Sequence, residues 1–109
     1  MSDQSAARPS GRAAETPDDR RARCVGPVLE AGDASAPVLA AIRELNTGVE
    51  VEDRGAYLRV LVPERCVVTR AAIEAAGGEP FRLPGDLERV MPSFKGRFAV
   101  TEDGAEWTL

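Results

Sequence analysis

The chain has no histidine among its 109 residues, only two cysteines, and five aromatic side chains: three Phe, one Tyr and one Trp. The missing imidazole removes the commonest general base and the commonest metal ligand together. Ser-His-Asp and Cys-His catalysis is therefore impossible within this chain. Cys24 and Cys66 show no C-x-x-C spacing, and two thiols cannot complete a four-ligand zinc site without carboxylates. They are also too few for the disulfide framework of a small secreted domain, so two free thiols in a reducing cytoplasm are expected. No run of about 18 apolar residues is present, which excludes a membrane-spanning helix. The N-terminus has no apolar stretch of the kind a secretory signal needs. Gly77-Gly78 lacks the lysine and spacing of a phosphate loop. A net charge of -4 and a pI near 4.9 disfavour nucleic acid, because phosphate binding requires clustered Lys and Arg. These absences predict a cytoplasmic, non-catalytic protein without cofactor, membrane or nucleic-acid partner.

What is present divides into two parts. Residues 1–23 contain no Val, Ile, Leu, Phe, Tyr or Trp; their hydrophobic residues are Met1 and five alanines. Such a segment cannot offset an ordering cost of about 1–2 kcal/mol per residue, so a disordered tail is expected. Five arginines against four acids give the tail +1, which leaves -5 for residues 24–109, the expected folded domain.

From Cys24 the patterns become regular. "CVGPVLEA" reads as a strand, placed at an edge because Pro27 has no N–H. In "GDASAPVLAAIRELN", Val38, Leu39, Ile42 and Leu45 fall on one helical face, with Asp33 or Ser35 as the cap and Pro37 in the first turn. Asn46 and Gly48 end that helix, one of them in a left-handed cap. "VEVED" and "AYLRVLV" alternate with period two around Asp53-Arg54-Gly55-Ala56, a hairpin with Gly55 at positive φ. "CVVT" leads to Thr69, an N-cap for "RAAIEAA", which stops at Gly77-Gly78. "FRLPGDLERVMP" is a short helical turn carrying Leu87, Val90 and Met91. "SFKGRFAV" reads as one half-buried strand, and "AEWTL" pairs back onto it with Trp107 inward. The order β-α-β-β-α-(short α)-β-β predicts an α+β open sandwich, its mostly antiparallel sheet covered by helices. A domain this small holds one core and no enclosed ligand chamber, although a small pocket between helix and sheet is compatible with it.

Five segments, "VGPVLEAGD", "VEDRGAYLRV", "VTR", "GEPFRL" and "LERVMPSFKG", occur in this order between Val25 and Gly96. Together they resemble the effector, or coupling, proteins of soluble bacterial multicomponent di-iron monooxygenases, the family serving methane, phenol, toluene and alkene hydroxylases. The likeness spans Val25 to Trp107 and is closest to the toluene/alkene type. It implies a cofactorless regulator, a monomer when free, whose partner is the di-iron hydroxylase. Binding would tune the hydroxylase active site, couple NADH oxidation to hydrocarbon hydroxylation or epoxidation, and compete with the reductase or ferredoxin component. Two departures stand out: a tail longer than the toluene-type members carry, and Cys66 where an aliphatic or small residue is expected.

Seven residues are candidates for partner contact. Asn46 follows the first helix, where the resemblance implies an asparagine facing the hydroxylase; as a helix terminator it also suits an ordinary cap. Its replacement by alanine is expected to lower coupling or change regiochemistry with little loss of fold. Glu52, Asp53, Arg54 and Arg59 form the charged hairpin tip, a contact surface at most; Arg59 also suits a simple cross-strand pair with Glu50 or Glu52. Ser93 and Lys95 flank Phe94, which is expected in the core. Tyr57 is compatible with core packing and a bonded hydroxyl. Two rival functions fit less of the chain. A small-molecule-sensing α+β domain would bind a specific ligand and self-associate without a hydroxylase. A carboxylate-based catalytic module using Glu52 and Asp53 would turn over alone.

Overall fold

The first strand, β1 (Cys24–Glu30), sets the architecture. In the computed structural model, which describes residues 16–109, β1 lies inside a four-stranded sheet. Its neighbours there are β3 (Tyr57–Pro63) on one side and β5 (Ser93–Lys95) on the other, and β2 (Glu50–Asp53) closes the far edge. The edge placement expected from Pro27 is therefore wrong. Gly26 and Pro27 interrupt the β1–β3 ladder, which pairs Val25 with Val62 and resumes at Val28 with Arg59, while the same two residues pair with β5. The missing proline donor falls in that gap. Gly26 is required there: a Cβ would lie 2.3 Å from the Val60 carbonyl oxygen, at a φ of 148°.

A second sheet is built from β4 (Arg65–Thr69), β7 (Gly104–Thr108) and β6 (Arg97–Val100), with β7 in the middle. Every strand pair in both sheets is antiparallel. "SFKGRFAV" is thus two strands in different sheets rather than one. Gly96, at φ 105°, makes the switch; a Cβ there would meet the Thr108 carbonyl oxygen at 2.6 Å and Val25 at 2.7 Å. Helices α2 (Ala36–Leu45) and α3 (Arg70–Gly77) pack on each other, and α2 also packs on β4; α4 (Gly85–Val90) adds Leu87 and Val90 to the core. The α+β sandwich is as expected, except that two sheets share the core.

That core contains Val25, Leu29, Val60, Val62, Val38, Ile42, Val68, Ile73 and Trp107. Trp107 is fully buried, as expected, and its indole N–H has no protein partner among the described residues. Cys66, opposite Trp107 on β4, is buried and free; burial pushes its thiol up to about 12. Thr69 caps α3 by accepting from the Ala72 N–H at 3.1 Å, worth about 1 kcal/mol, and Gly78 closes it at φ 73°.

Three local expectations change and one holds. Leu45 sits at the open end of α2 and is exposed, so the buried stripe is Val38, Ala41 and Ile42. Ser35 occupies the N-cap position, but its hydroxyl donates to the carbonyls of Glu30 and Gly32 instead of capping the helix. One of the two residues that end α2 is left-handed, as expected: Gly48, at φ 71°, while Asn46 is extended. Tyr57 and Phe94 are not core residues: each is 45% exposed. Phe94 begins a row of tilted rings, 5.2 Å from Phe98, which is in turn 5.3 Å from Trp107, so one aromatic column runs from surface to core.

The expected tail also differs over residues 16–23. Pro17–Ala22 form a helix, α1, closed by a capping box in which the Thr16 hydroxyl accepts from the Asp19 N–H and the Asp19 carboxylate accepts from the Thr16 N–H. The helix buries no residue of its own; ion pairs, not apolar area, hold it to the domain. The rest of the expected tail, residues 1–15, lies outside the described residues.

Candidate functional site

The antiparallel register collects the charged hairpin into a row. Glu52 pairs with Arg59, Arg59 with Val28, and Val28 with Ser93, so these side chains line one face across β2, β3, β1 and β5. The next row on that face brings Glu50 beside Leu61, and Gly26 beside Lys95. The opposite face holds Val60, Val62, Val25 and Leu29 in the core. The four-stranded sheet is therefore apolar inside and charged outside, and a groove of ≈ 440 Å³ on the outside is lined by Val28, Arg59, Leu61, Ser93, Phe94 and Lys95.

Glu52 is the electrostatic centre of this outer face. Its carboxylate pairs with Arg21, with Arg54 at 3.2 Å and with Arg59 at 3.7 Å, and its side chain is only 16% exposed. Partial burial works to raise its pKa. The hydrogen bond from Arg54 and the charges of Arg21, Arg54 and Arg59 outweigh that and hold the carboxyl below its ordinary value. Five of the seven sequence candidates, Glu52, Arg54, Arg59, Ser93 and Lys95, thus come together here.

The other two have different surroundings. The Asp53 carboxylate accepts from the Gly55 N–H at 2.8 Å, which shapes the turn around Gly55 at φ 81°. Asn46 lies between α2 and the second sheet. Its amide donates to the Ile42 and Val67 carbonyls, both at 2.8 Å, and accepts from the Val67 N–H at 3.0 Å. The side chain so copies a strand backbone along the outer side of β4. Its polar capacity is nearly all used within the fold, which removes the basis for expecting that an alanine there spares stability.

Arg20 and Arg21 escaped sequence reasoning, because they fall in the stretch dismissed for lack of apolar residues. A signal was there: "TPDDRR" carries an N-cap threonine, proline at the first helical position, acids in the first turn and bases in the last. From α1, Arg20 reaches Glu50 at 3.9 Å and the Gly48 carbonyl at 3.5 Å, while Lys95 donates to the Arg21 carbonyl.

The arrangement offers charge and hydrogen bonding on a nearly flat face. Among the described residues, no group of three or more Cys, Asp or Glu is placed to hold a metal ion. A second depression, a surface cleft of ≈ 660 Å³, opens near α2, α3 and α4; Glu30, Asp33, Ile73, Phe81, Asp86 and Arg89 are among its walls.

Three comparisons bear on this geometry. The model of the MmoB/DmpM family matches residues 23–108. The effector subunit of the alkene monooxygenase system of Xanthobacter autotrophicus (strain ATCC BAA-1158 / Py2) is 40% identical over 94 residues, covering 84% of this chain and 92% of that protein. Two solved structures of a phenol hydroxylase–regulatory protein complex share the fold. One gives a TM-score of 0.70 at 20% identity, over 79% of this chain and 97% of the other. The second gives 0.69 at 21%, over 79% and 99%. From Arg23 onward, with its two sheets and its charged outer face, the chain belongs to the MmoB/DmpM family.

Proposed function

We propose that this protein is the effector of a multicomponent monooxygenase: a non-catalytic component that docks on the di-iron hydroxylase through the outer face of the four-stranded sheet. The observation that carries this reading is the kinship with an alkene monooxygenase effector subunit, extending over 84% of the chain. The face supplies the means. Glu52, Arg54, Arg59, Ser93 and Lys95 gather on one surface, which offers a partner both charges and hydrogen-bonding groups. Asp53 shapes this surface through the turn it holds, whereas Asn46, bonded at the α2–β4 junction, belongs to the frame of the other sheet. Docking selects a hydroxylase conformation that it fits better than the resting one, and so tunes the active site and couples NADH oxidation to hydroxylation or epoxidation of a hydrocarbon. The free protein is a cytoplasmic monomer, and it shares hydroxylase surface with the reductase or ferredoxin.

The test is a titration of the chain into hydroxylase and electron-transfer components, following NADH loss and product together. Product per NADH is expected to rise and then fall at excess effector. A flat response with no detectable binding would remove the reading. A second reading, a small-molecule-sensing domain, draws on the ≈ 660 Å³ cleft, whose volume lies within the usual range for ligand sites. It requires saturable binding of a small molecule by the free chain and self-association without any hydroxylase.

A further inference from the structure

Helix α1 lies just outside the residues the family shares, 23–108, yet it sits on the face that five candidate contacts form. Its attachment is polar. Arg21 meets Glu52, Arg20 meets Glu50 and the Gly48 carbonyl, and Lys95 donates to the Arg21 carbonyl. The contact is electrostatically consistent, with two adjacent cations set against two carboxylates and the lysine at the negative, carbonyl-bearing end of the helix. No α1 residue is buried, so the helix gives up no buried side chain of its own on leaving. What α1 leaves behind is not an ordinary solvated surface: Leu61 and Cys24 are buried but stand outside the main core, and Cys24 donates its S–H to the Arg20 carbonyl at 3.2 Å.

We propose that α1 is a removable occupant of the docking face: in the free chain it fills a site for a helix end carrying two adjacent basic side chains, and a basic helix of the hydroxylase displaces it. The proposal rests on the effector reading above and adds the kind of partner element and a regulatory step. Glu50 and Glu52 exchange Arg20 and Arg21 for the partner's cations, and Lys95 exchanges one helix C-terminus for another. Because the docked form is closed to the partner, the apparent affinity is the intrinsic one reduced by the fraction of chains with α1 undocked. Ion pairs whose arginines stay 41% and 48% exposed keep that reduction small enough to be overcome by docking.

The experiment uses the full chain, its Arg21→Ala variant, and the purified hydroxylase component of an alkene monooxygenase. In the free proteins, backbone NMR order parameters for residues 17–22 should be those of ordered structure in the parent and fall below about 0.6 in Arg21→Ala. Calorimetric titration should show the variant binding roughly three- to tenfold more tightly at low salt. Adding Glu52→Gln to the Arg21→Ala chain should abolish that gain, because the partner's cation then loses its acceptor. A parent whose α1 is already mobile overturns the proposal, as does a variant that binds equally or more weakly. Retention of the gain in the double variant overturns the basic-helix assignment. If neither chain binds while the NMR contrast persists, the effector reading fails and takes displacement by a hydroxylase with it; equal binding by both chains fails the displacement alone.

Discussion

The two sheets handle polar groups in opposite ways. Beside the three-stranded sheet, Asn46 is absorbed into the architecture: its amide completes the backbone hydrogen bonding of Val67 and Ile42. On the four-stranded sheet, the partners of Glu52 among the described residues are cations on neighbouring exposed side chains, Arg21, Arg54 and Arg59. Both residues were candidates for the same role in the sequence. The difference teaches that a polar residue bonded to backbone is committed to the fold, whereas one bonded to mobile side chains can exchange partners at the cost of little structure. Function should follow the second kind.

Substitutions break this comparison in order of size. Trp107→Ala, at the centre of the shared core, should cost about 3–5 kcal/mol and lower the urea midpoint furthest, since the two sheets meet around a fully buried ring. Trp107→Phe should cost clearly less, because the indole N–H it removes has no protein partner among the described residues to lose. Asn46→Ala comes next. It strands the Val67 N–H and carbonyl, and a loss of about 1–3 kcal/mol is expected. Hydroxylase affinity measured well below the melting range should change little. An Asn46→Ala chain with an unshifted melting curve and altered product ratio would reverse the comparison, making Asn46 the contact residue.

How much of this was legible in the sequence depended on which physical signal each feature left. Period-two alternation placed β2 and β3, and the Thr69 and Gly78 caps bounded α3, because those signals are local. The interior position of β1 was not legible: Pro27 reads as an edge residue, and only the tertiary gap opposite Val60 and Leu61 makes it tolerable inside a sheet. The break at Gly96 was hidden because Phe94, Phe98 and Val100 keep their alternation across a change of sheet. The outer face was half legible. Glu52, Arg59 and Ser93 were each suspect residues, but their alignment into one row needs a register that no single strand encodes. Arg21 was missed because apolar content was allowed to outweigh a complete set of helix-end signals.

Titration sharpens the same contrast, since the two regions carry groups displaced in opposite directions. Glu52 has its carboxyl held below the ordinary value of 4.5 by its arginine partners. Its contribution to stability is therefore present above that value and is lost as pH falls through the lower folded pKa. Cys66, in the core seam, is the reverse case. Its thiol is raised from 9.0 to about 12, so the folded state binds a proton that the unfolded state releases, and stability falls as pH rises above about 9. Urea midpoints measured across pH should thus show an alkaline decline that Cys66→Ala reduces and Glu52→Gln leaves alone. The acid decline should respond the other way, weakening in Glu52→Gln and unchanged in Cys66→Ala. The effect of Glu52 is the smallest of those considered and should also shrink in high salt, because its partners are exposed. An acid limb insensitive to both salt and Glu52→Gln would mean that the outer face contributes nothing to folding. It would then be free of structural duty altogether, and the division between a committed sheet and an exchangeable one would be sharper than the ion pairs suggest.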